Sequence, residues 1–227
     1  VIPRAVFFDA GNTLFRPHPS VGDIYARVAR RHGARADALG IEARFAAEWS
    51  RHDNRPRRSV KGEKARWKAL TRRVFDGLFR TEADFAGFFE ELHAEFAHPR
   101  TWRLYPDALP TLKAMNKLGR VVGIVSNWDE RLFELCDGLK VTPWVDFVLA
   151  SAVEGTSKPD REIFRRALAK AGVRPSEALH VGDSYREDYR GARRAGLAAV
   201  LLCRRTSAPD GVRAIRSLRE LSTGFFT

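Results

Sequence analysis

Sulfur and long apolar runs are both scarce in this chain. Two cysteines in 227 residues exclude a disulfide framework and a cysteine-based zinc site. Cys136 follows Leu135, and Cys203 follows Leu201 and Leu202, so both are expected as buried free thiols. No apolar run approaches the ~18–20 residues needed to cross a bilayer, and no membrane role is expected. The apolar stretch at Ala5–Phe8 is too short for the central region of a secretory signal, and no small-residue cleavage pattern follows it. The expected location is cytoplasmic. Acidic residues are also in short supply, with 28 Asp and Glu against 40 Lys and Arg, for a formal net charge of +12. The excess is mostly arginine and is scattered, from Arg27, Arg30 and Arg31 through Arg72 and Arg73 to Arg193 and Arg194, with its densest part between Arg51 and Arg73. Aromatic residues do not interleave with it in a nucleic-acid-binding pattern, so a nucleic-acid partner is not expected. Two readings of the charge remain: solvated helix faces, or a positive field that draws in anionic substrates.

A hydrophobic fraction of 44% and a charged fraction of 30% are those of a globular protein with a real core. Ala5-Val6-Phe7-Phe8 is continuously apolar and ends at Asp9 and Gly11, as a strand buried on both faces of a parallel sheet would. From about Ser20 to Ala97 the signal is helical. Val21, Ile24, Tyr25 and Val28 recur at helical spacing before a stop at Gly33, and Trp67, Leu70, Val74 and Leu78 mark one face of another helix. Thr81 with Asp84 reads as a capping pair ahead of Phe85, Phe88, Phe89 and Leu92. Asp53 to Ser59, with Pro56, interrupts the helices. After His98-Pro99 the pattern becomes β/α alternation. Strands are expected at Val121–Val125, Asp146–Leu149, Leu179–Val181 and Ala198–Leu202. Helices are expected at Pro106–Leu118, Glu130–Leu139, Arg161–Ala171 and Arg186–Ala195, with a last one over Val212–Leu221 after a loop at Arg204–Gly211. The expected fold is therefore α/β, a doubly wound parallel sheet with an inserted all-α unit. Residues 1–15 and 100–227 would form the discontinuous core, and 16–99 the insertion.

Four polar clusters stand at the ends of these strands, where ligands of such sheets bind. The first is Asp9-Ala10-Gly11-Asn12-Thr13, a carboxylate exposed by a glycine turn; alone it is an ordinary turn. The second is Ser126-Asn127, whose hydroxyl and amide suit a phosphoryl oxygen or, equally, a helix cap. The third is Ser157-Lys158-Pro159-Asp160, where proline keeps Lys158 off a helix and aims an ammonium that would offset phosphate charge. The fourth runs from His180 through Gly182, Asp183, Glu187 and Asp188. Paired carboxylates there suit a hard cation with oxygen ligands, of which Mg²⁺ is the natural one beside a phosphate. Asp188 alternatively orients Lys158.

The ordered set Asp9-x-x-x-Thr13, Ser126-Asn127, Lys158-Pro159 and Gly182-Asp183-x-x-x-x-Asp188 resembles the four motifs of the haloacid dehalogenase superfamily. The helical block resembles its subfamily I cap. The finer texture of His98-Pro99 before Trp102, Ser126-Asn127-Trp128-Asp129 and Val181-Gly182-Asp183 looks most like one branch, that of haloacid dehalogenase-like hydrolase domain-containing protein 3 and the rhythmically expressed gene 2 protein. The resemblance implies a Rossmann-like core and a Mg²⁺-dependent hydrolysis of a small phosphorylated metabolite. Asp9 would be the nucleophile that accepts the phosphoryl group, and Thr13 would hold its loop. Ser126, Asn127 and Lys158 would bind the phosphoryl group. Asp9, the Gly11 carbonyl and Asp183 would bind Mg²⁺, with Asp188 in support. Monomer and dimer both remain open.

One position departs from that pattern. Family phosphatases carry a second Asp two residues after the nucleophile, as general acid and base, and here Gly11 stands there. Losing such a group costs about 10²–10⁴ in rate, so slow turnover or a need for good leaving groups is expected, with a gain in Gly11→Asp. A replacement acid would come from the helical block, where His18, His32 and His52 are candidates. A small residue at this position also resembles phosphonoacetaldehyde hydrolases, which form a Schiff base on a cap lysine; Lys61, Lys64 and Lys68 are available. A third reading is a phosphate-binding or regulatory protein with little turnover. A metal-free 2-haloacid dehalogenase is disfavoured because Asp183 is retained.

Overall fold

The structure is a computed structural model, and it describes residues 2–51 and 59–222. Its centre is strand β1 (Ala5–Phe8), buried along its whole length. Because side chains alternate across a strand, Val6 and Phe8 join the apolar layer on one face of the sheet, and Ala5 and Phe7 the layer on the other. Around β1 stand β4 (Val121–Ser126), β5 (Phe147–Ala150), β6 (Ala178–Gly182), β7 (Ala198–Leu202) and β8 (Ala214–Ile215), in the order β5-β4-β1-β6-β7-β8. All neighbours are parallel, and Ala5 pairs with Val121 on one side and Ala178 on the other. On the face of Val6 and Phe8 pack α5 (Ala108–Lys117) and α6 (Arg131–Gly138), through residues such as Leu112, Met115 and Leu132. On the other face packs α8 (Arg161–Ala171), through Ile163, Phe164 and Ala167. Two short helices, α7 (Ser151–Glu154) and α9 (Gly191–Arg194), complete this layer structure. The result is the Rossmann-like doubly wound sheet, and it places the ends of β1, β4 and β6 side by side.

Between β1 and α5 the chain leaves the sheet. β2 (Phe15–Pro17) and β3 (Trp102–Leu104) pair as an antiparallel ribbon. Inserted between them are α1 (Val21–Arg31), α2 (Ala38–Arg51), α3 (Val60–Val74) and α4 (Glu82–Glu95). Three of these helices start on a side-chain cap: Ser20 accepts from the Asp23 amide, Ser59 from that of Gly62, and Thr81 from that of Asp84. Each cap satisfies an amide that the helix itself leaves unpaired, worth about 1 kcal/mol. The block has its own core, in which Ile24, Val28, Ile41, Val74, Phe75 and Phe88 are buried together.

Several elements differ from the sequence expectation. The helix expected over Val212–Leu221 is instead β8 followed by a 3-10 turn at Leu218–Ser222. The free edge of β7 takes Ala214 and Ile215 as pairing partners. Asp107 Oδ2 then accepts from the Leu218 amide and the Ser217 hydroxyl, and so holds the backbone out of a helix. The single helix expected over Arg186–Ala195 opens as a π-helical turn, Tyr185–Arg190, before α9. Leu78 lies beyond α3, which ends ahead of Gly77 at φ +73°. The ribbon of β2 and β3 has strands of three residues, too short for a periodic signal. Both cysteines are free and buried, as expected, and burial pushes the Cys136 thiol up to about 12. The interruption expected at Asp53 to Ser59 falls, apart from Ser59, outside the described residues. Among the described residues no helix is long and apolar enough to cross a membrane.

Candidate active site

β1 ends at Phe8, and the next residue, Asp9, is buried at the head of a tight turn closed by amide-to-carbonyl bonds from Thr13 and Leu14 to Ala10. That turn brings the Thr13 hydroxyl back onto Asp9 Oδ2 at 3.3 Å. β4 ends at Ser126, whose hydroxyl donates to Asp9 Oδ1 at 2.8 Å. Lys158, 1% exposed, reaches in from the loop before α8. Its ammonium donates to Asp9 Oδ1 and to Asp188 Oδ1, both at 2.6 Å. Five residues separated by up to 179 positions therefore meet because β1, β4 and β6 are neighbours in one sheet.

The remaining hydrogen bonds sort the supporting groups. The Asn127 side chain is committed at both ends. Its Nδ2 donates to the Lys158 carbonyl and to Glu187 Oε2, each at 2.9 Å, and its Oδ1 accepts from the Lys158 amide at 2.8 Å. The geometry thus has Asn127 holding the Lys158 loop, whose Lys158–Pro159 peptide is cis. Asp188 is held on both oxygens: Oδ1 takes the Lys158 ammonium and His180 Nε2 at 2.9 Å, and Oδ2 takes the Ser184 amide at 2.9 Å. Gly182 makes this approach possible, since a Cβ there would stand 2.2 Å from Asp188 Cγ. Burial opposes the charge on Asp188, but Lys158 and His180 outweigh it and hold the carboxyl well below the usual carboxylate range. Burial likewise opposes the charge on Lys158, and Asp188 and Asp9 hold its ammonium above the ordinary lysine range. Asp183 is exposed, and its carboxyl lies beside those of Asp9 and Asp188. Desolvation there, and then the charges of Asp9 and Asp188, push it well up.

Asp9, Asp183 and Asp188 each place a carboxylate oxygen so that all lie within 4.8 Å of one another. This donor set fits Mg²⁺. It is hard oxygen chemistry, it carries three carboxyl groups against one ammonium, and Asp183 is penalised for the charge a cation would relieve. Asp9 and Asp188 each already accept three hydrogen bonds, and Asp183 is the carboxylate of the three that is pushed well up. Among the described residues no hydrogen bond ends on the Gly11 carbonyl.

Asp9 opens into a cavity of about 550 Å³ between the sheet ends and the helical block. Gly11, Asn127 and Glu187 share its floor, with Trp128 and Trp102 beside them; Tyr25, Phe45, Trp67 and Phe89 line the part made by the helices. A Cβ on Gly11 would stand 3.0 Å from Trp128 Cζ3, so the indole covers the direction in which a side chain at 11 would grow. Glu187 faces the same space, and burial, with the Asp188 and Asp9 charges opposing Lys158, raises its carboxyl.

The acid and Schiff-base candidates of the helical block do not converge here. His32 Nε2 is bonded to Glu91 at 2.7 Å, and His18 lies in a separate recess with Arg27, Arg31 and Glu95. His52 falls outside the described residues. Lys64 is paired with Glu90 at 2.6 Å, Lys68 lies over the Phe89 ring, and none of Lys61, Lys64 and Lys68 lines the cavity. The histidine that does line it is His93, with Arg66 and Arg131 as its cations. Reading by sequence missed these three. Nothing in the spacing of α3 or α4 distinguishes an inward-facing Arg66 or His93 from its solvated neighbours. His180 and Glu187 lay within a cluster already singled out, without a role.

The chain matches the haloacid dehalogenase-like hydrolase family over residues 3–196. It is similar to haloacid dehalogenase-like hydrolase domain-containing protein 3 of Mus musculus, 35% identical over 88% of this chain and 81% of that protein. It is also similar to a phosphoserine phosphatase of Thermus thermophilus, 31% identical over 97% of this chain and 91% of that protein. Among solved structures, a HAD phosphatase from Thermococcus onnurineus superposes with a TM-score of 0.69 at 25% identity, over 97% of this chain and 96% of that one. A dehalogenase superposes equally well, with a TM-score of 0.69 at 25% identity over 96% and 95%.

Proposed function

Since the chain belongs to the haloacid dehalogenase-like hydrolases, we propose that it is a Mg²⁺-dependent phosphatase of small phosphate esters, with Asp9 as nucleophile and the 16–99 block as its cap domain over a core of 1–15 and 100–227. The observation that carries this reading is the ammonium of Lys158, held at 2.6 Å from both Asp9 and Asp188, with a third carboxylate, Asp183, beside them. A lysine 1% exposed and locked between two carboxylates is a fixed positive charge aimed at an anion-binding site, not a solvated surface group.

The Asp9 carboxylate attacks phosphorus, the ester P–O bond breaks and the leaving oxygen departs with its electron pair, to be protonated. Water then attacks the aspartyl-phosphate, releases inorganic phosphate and restores Asp9. Ser126 and Lys158 donate to the phosphoryl oxygens, where charge is greatest in the transition state. Thr13 fixes the carboxylate's rotation, Asn127 holds the Lys158 loop, and Asp188 with His180 fixes the ammonium. Asp9, Asp183 and the Gly11 carbonyl would hold Mg²⁺, which would supply charge neutralisation at the phosphoryl group.

The test is phosphate release from p-nitrophenyl phosphate with Mg²⁺, repeated with excess EDTA and with Asp9→Asn. Release should stop in both controls; full activity in Asp9→Asn removes Asp9 as the nucleophile. A second reading, a phosphate-binding protein with little turnover, is favoured by Gly11, whose slot lacks a carboxylate and is covered by Trp128. It predicts binding of phosphate analogues with no release from any ester.

A further inference from the structure

The half of the cavity remote from Asp9 is built differently from the phosphate end. Phe45, Trp49 and Trp67 stack in series, with ring centroids 5.8 and 5.7 Å apart and interplanar angles of 17° and 21°. All three line the cavity, so they extend a π-face into it. Arg66 lies over the Trp67 ring at 4.5 Å and over Trp49 at 5.8 Å. Its side chain is 8% exposed, and Nε and Nη2 are both spent on Glu63. Among the described residues the buried Nη1 has no hydrogen-bond partner, and neither has Nε2 of His93 in the same lining. Leaving such a group unpaired costs as much as making the bond gains, or more. Two unpaired polar atoms in one aromatic-lined cavity, Arg66 Nη1 at the stack and His93 Nε2 in the same lining, form a recognition surface for a ligand group that the described residues do not supply.

Building on the phosphatase reading, we propose that the preferred substrate is a phosphate ester whose organic part is a planar aromatic ring bearing an oxygen acceptor. The ring packs among the aromatic side chains that line the cavity, and its oxygen takes the hydrogen bond from Arg66 Nη1 or His93 Nε2. Stacking and cation–π geometry favour a flat ring over a sugar or an alkyl chain, and a guanidinium N–H favours a carboxylate or carbonyl oxygen over a bare edge.

Non-hydrolysable phosphonates test this by their quenching of tryptophan fluorescence in Mg²⁺ buffer. Benzylphosphonate should bind about tenfold more tightly than methylphosphonate, and 4-carboxybenzylphosphonate about tenfold more tightly again. Arg66→Met should remove the second step of this ranking. Because that change takes a buried guanidinium away from Glu63, His93→Phe is the companion variant, expected to shrink the same step several-fold. Equal affinity of wild type for all three ligands overturns the proposal, as does a carboxyl preference that survives both variants. Turnover of p-nitrophenyl phosphate is scored separately. No turnover with the ranking intact sinks the phosphatase reading alone; turnover with a flat ranking sinks the substrate class alone.

Discussion

At Gly11 and Trp128 the expectation and the structure diverge most usefully. Reading the residues in order shows that the carboxylate two positions after Asp9 is missing, and it suggests restoring it. It does not show that Trp128, 117 residues further on, occupies the space. The indole is held there by edge contacts with Phe15 at 5.8 Å and by Trp102 at 5.1 Å. A Cβ at 11, only 3.0 Å from it, requires the ring to yield, and a carboxylate beyond the Cβ requires more. We therefore expect Gly11→Asp alone to gain little, and Gly11→Asp with Trp128→Leu to raise turnover of p-nitrophenyl phosphate by about 10²-fold. Steady-state kcat for the two single variants and the double variant decides it. A gain from Gly11→Asp alone equal to that of the double variant would show that Trp128 is no obstacle. His93 supplies a second residue-level test. Burial, and then the Arg131 guanidinium, lower its imidazole to about 4 against an ordinary 6.5, with Asp129 and Glu90 acting in the opposite sense and Lys64 with Arg131. The unfolded chain thus takes up this proton near pH 6.5 and the folded one only near pH 4. Folded stability from this group is complete above pH 6.5 and is lost as pH falls towards 4. The urea midpoint of His93→Phe should fall less between pH 7 and pH 5 than that of wild type; parallel curves would refute the assignment.

The candidate site is assembled at strand ends, and these were legible because a strand buried on both faces leaves a continuous apolar run that stops abruptly at a polar residue. Asp9, Ser126 and Asp183 all follow such runs, and all three arrive at one place. Less legible was how the turn after β6 is wound. A helix-like pattern over Arg186–Ala195 hides a π-helical turn, and it is this turn that carries Asp188 under Lys158 and Glu187 towards Asn127. The ribbon of β2 and β3 was invisible for a different reason: its pairing partner lies some 85 residues away, beyond any local window. The turn after β6 has one sharp dependence. Gly182 ends the strand with no room for a methyl group, 2.2 Å from Asp188 Cγ. Gly182→Ala should displace Asp188 and with it the anchor of Lys158. We expect a loss of at least tenfold in kcat, and a rise in the concentration of phosphate needed for half-maximal inhibition, because the ammonium is no longer fixed. Wild-type inhibition by phosphate in a folded Gly182→Ala protein would mean that Asp188 does not position Lys158.

Across the whole molecule, two apolar cores meet over a cavity that neither core encloses alone. In the sequence the hydrophobic period changes from helical to β/α near residue 100, which is where the proposed cap and core divide. How they are fastened was not legible there, because the fastening rests on side chains whose partners lie in the other unit. Arg131 is the clearest such link. It starts α6 on the sheet side, grips Asp129 with Nε at 2.9 Å and Nη2 at 2.7 Å, and sends Nη1 to the carbonyl of His93 in α4 at 2.9 Å. The guanidinium is 13% exposed and the carboxylate 2%, so the pair is sheltered and its geometry matters more than its charge. Arg131→Lys tests that distinction, because lysine keeps the charge but cannot reproduce the planar fork. Asp129 would keep a single donor and His93 would lose its link, for a cost of about 1–2 kcal/mol. In a chain of this size that lowers Tm by roughly 2–8 °C. Since Arg131 lines the cavity but makes none of the described hydrogen bonds to Asp9, Lys158 or Asp183, KM should rise several-fold while kcat changes less than twofold. A variant with unchanged Tm, or one that loses kcat at constant KM, would show that the two units are not held across the cavity by this residue.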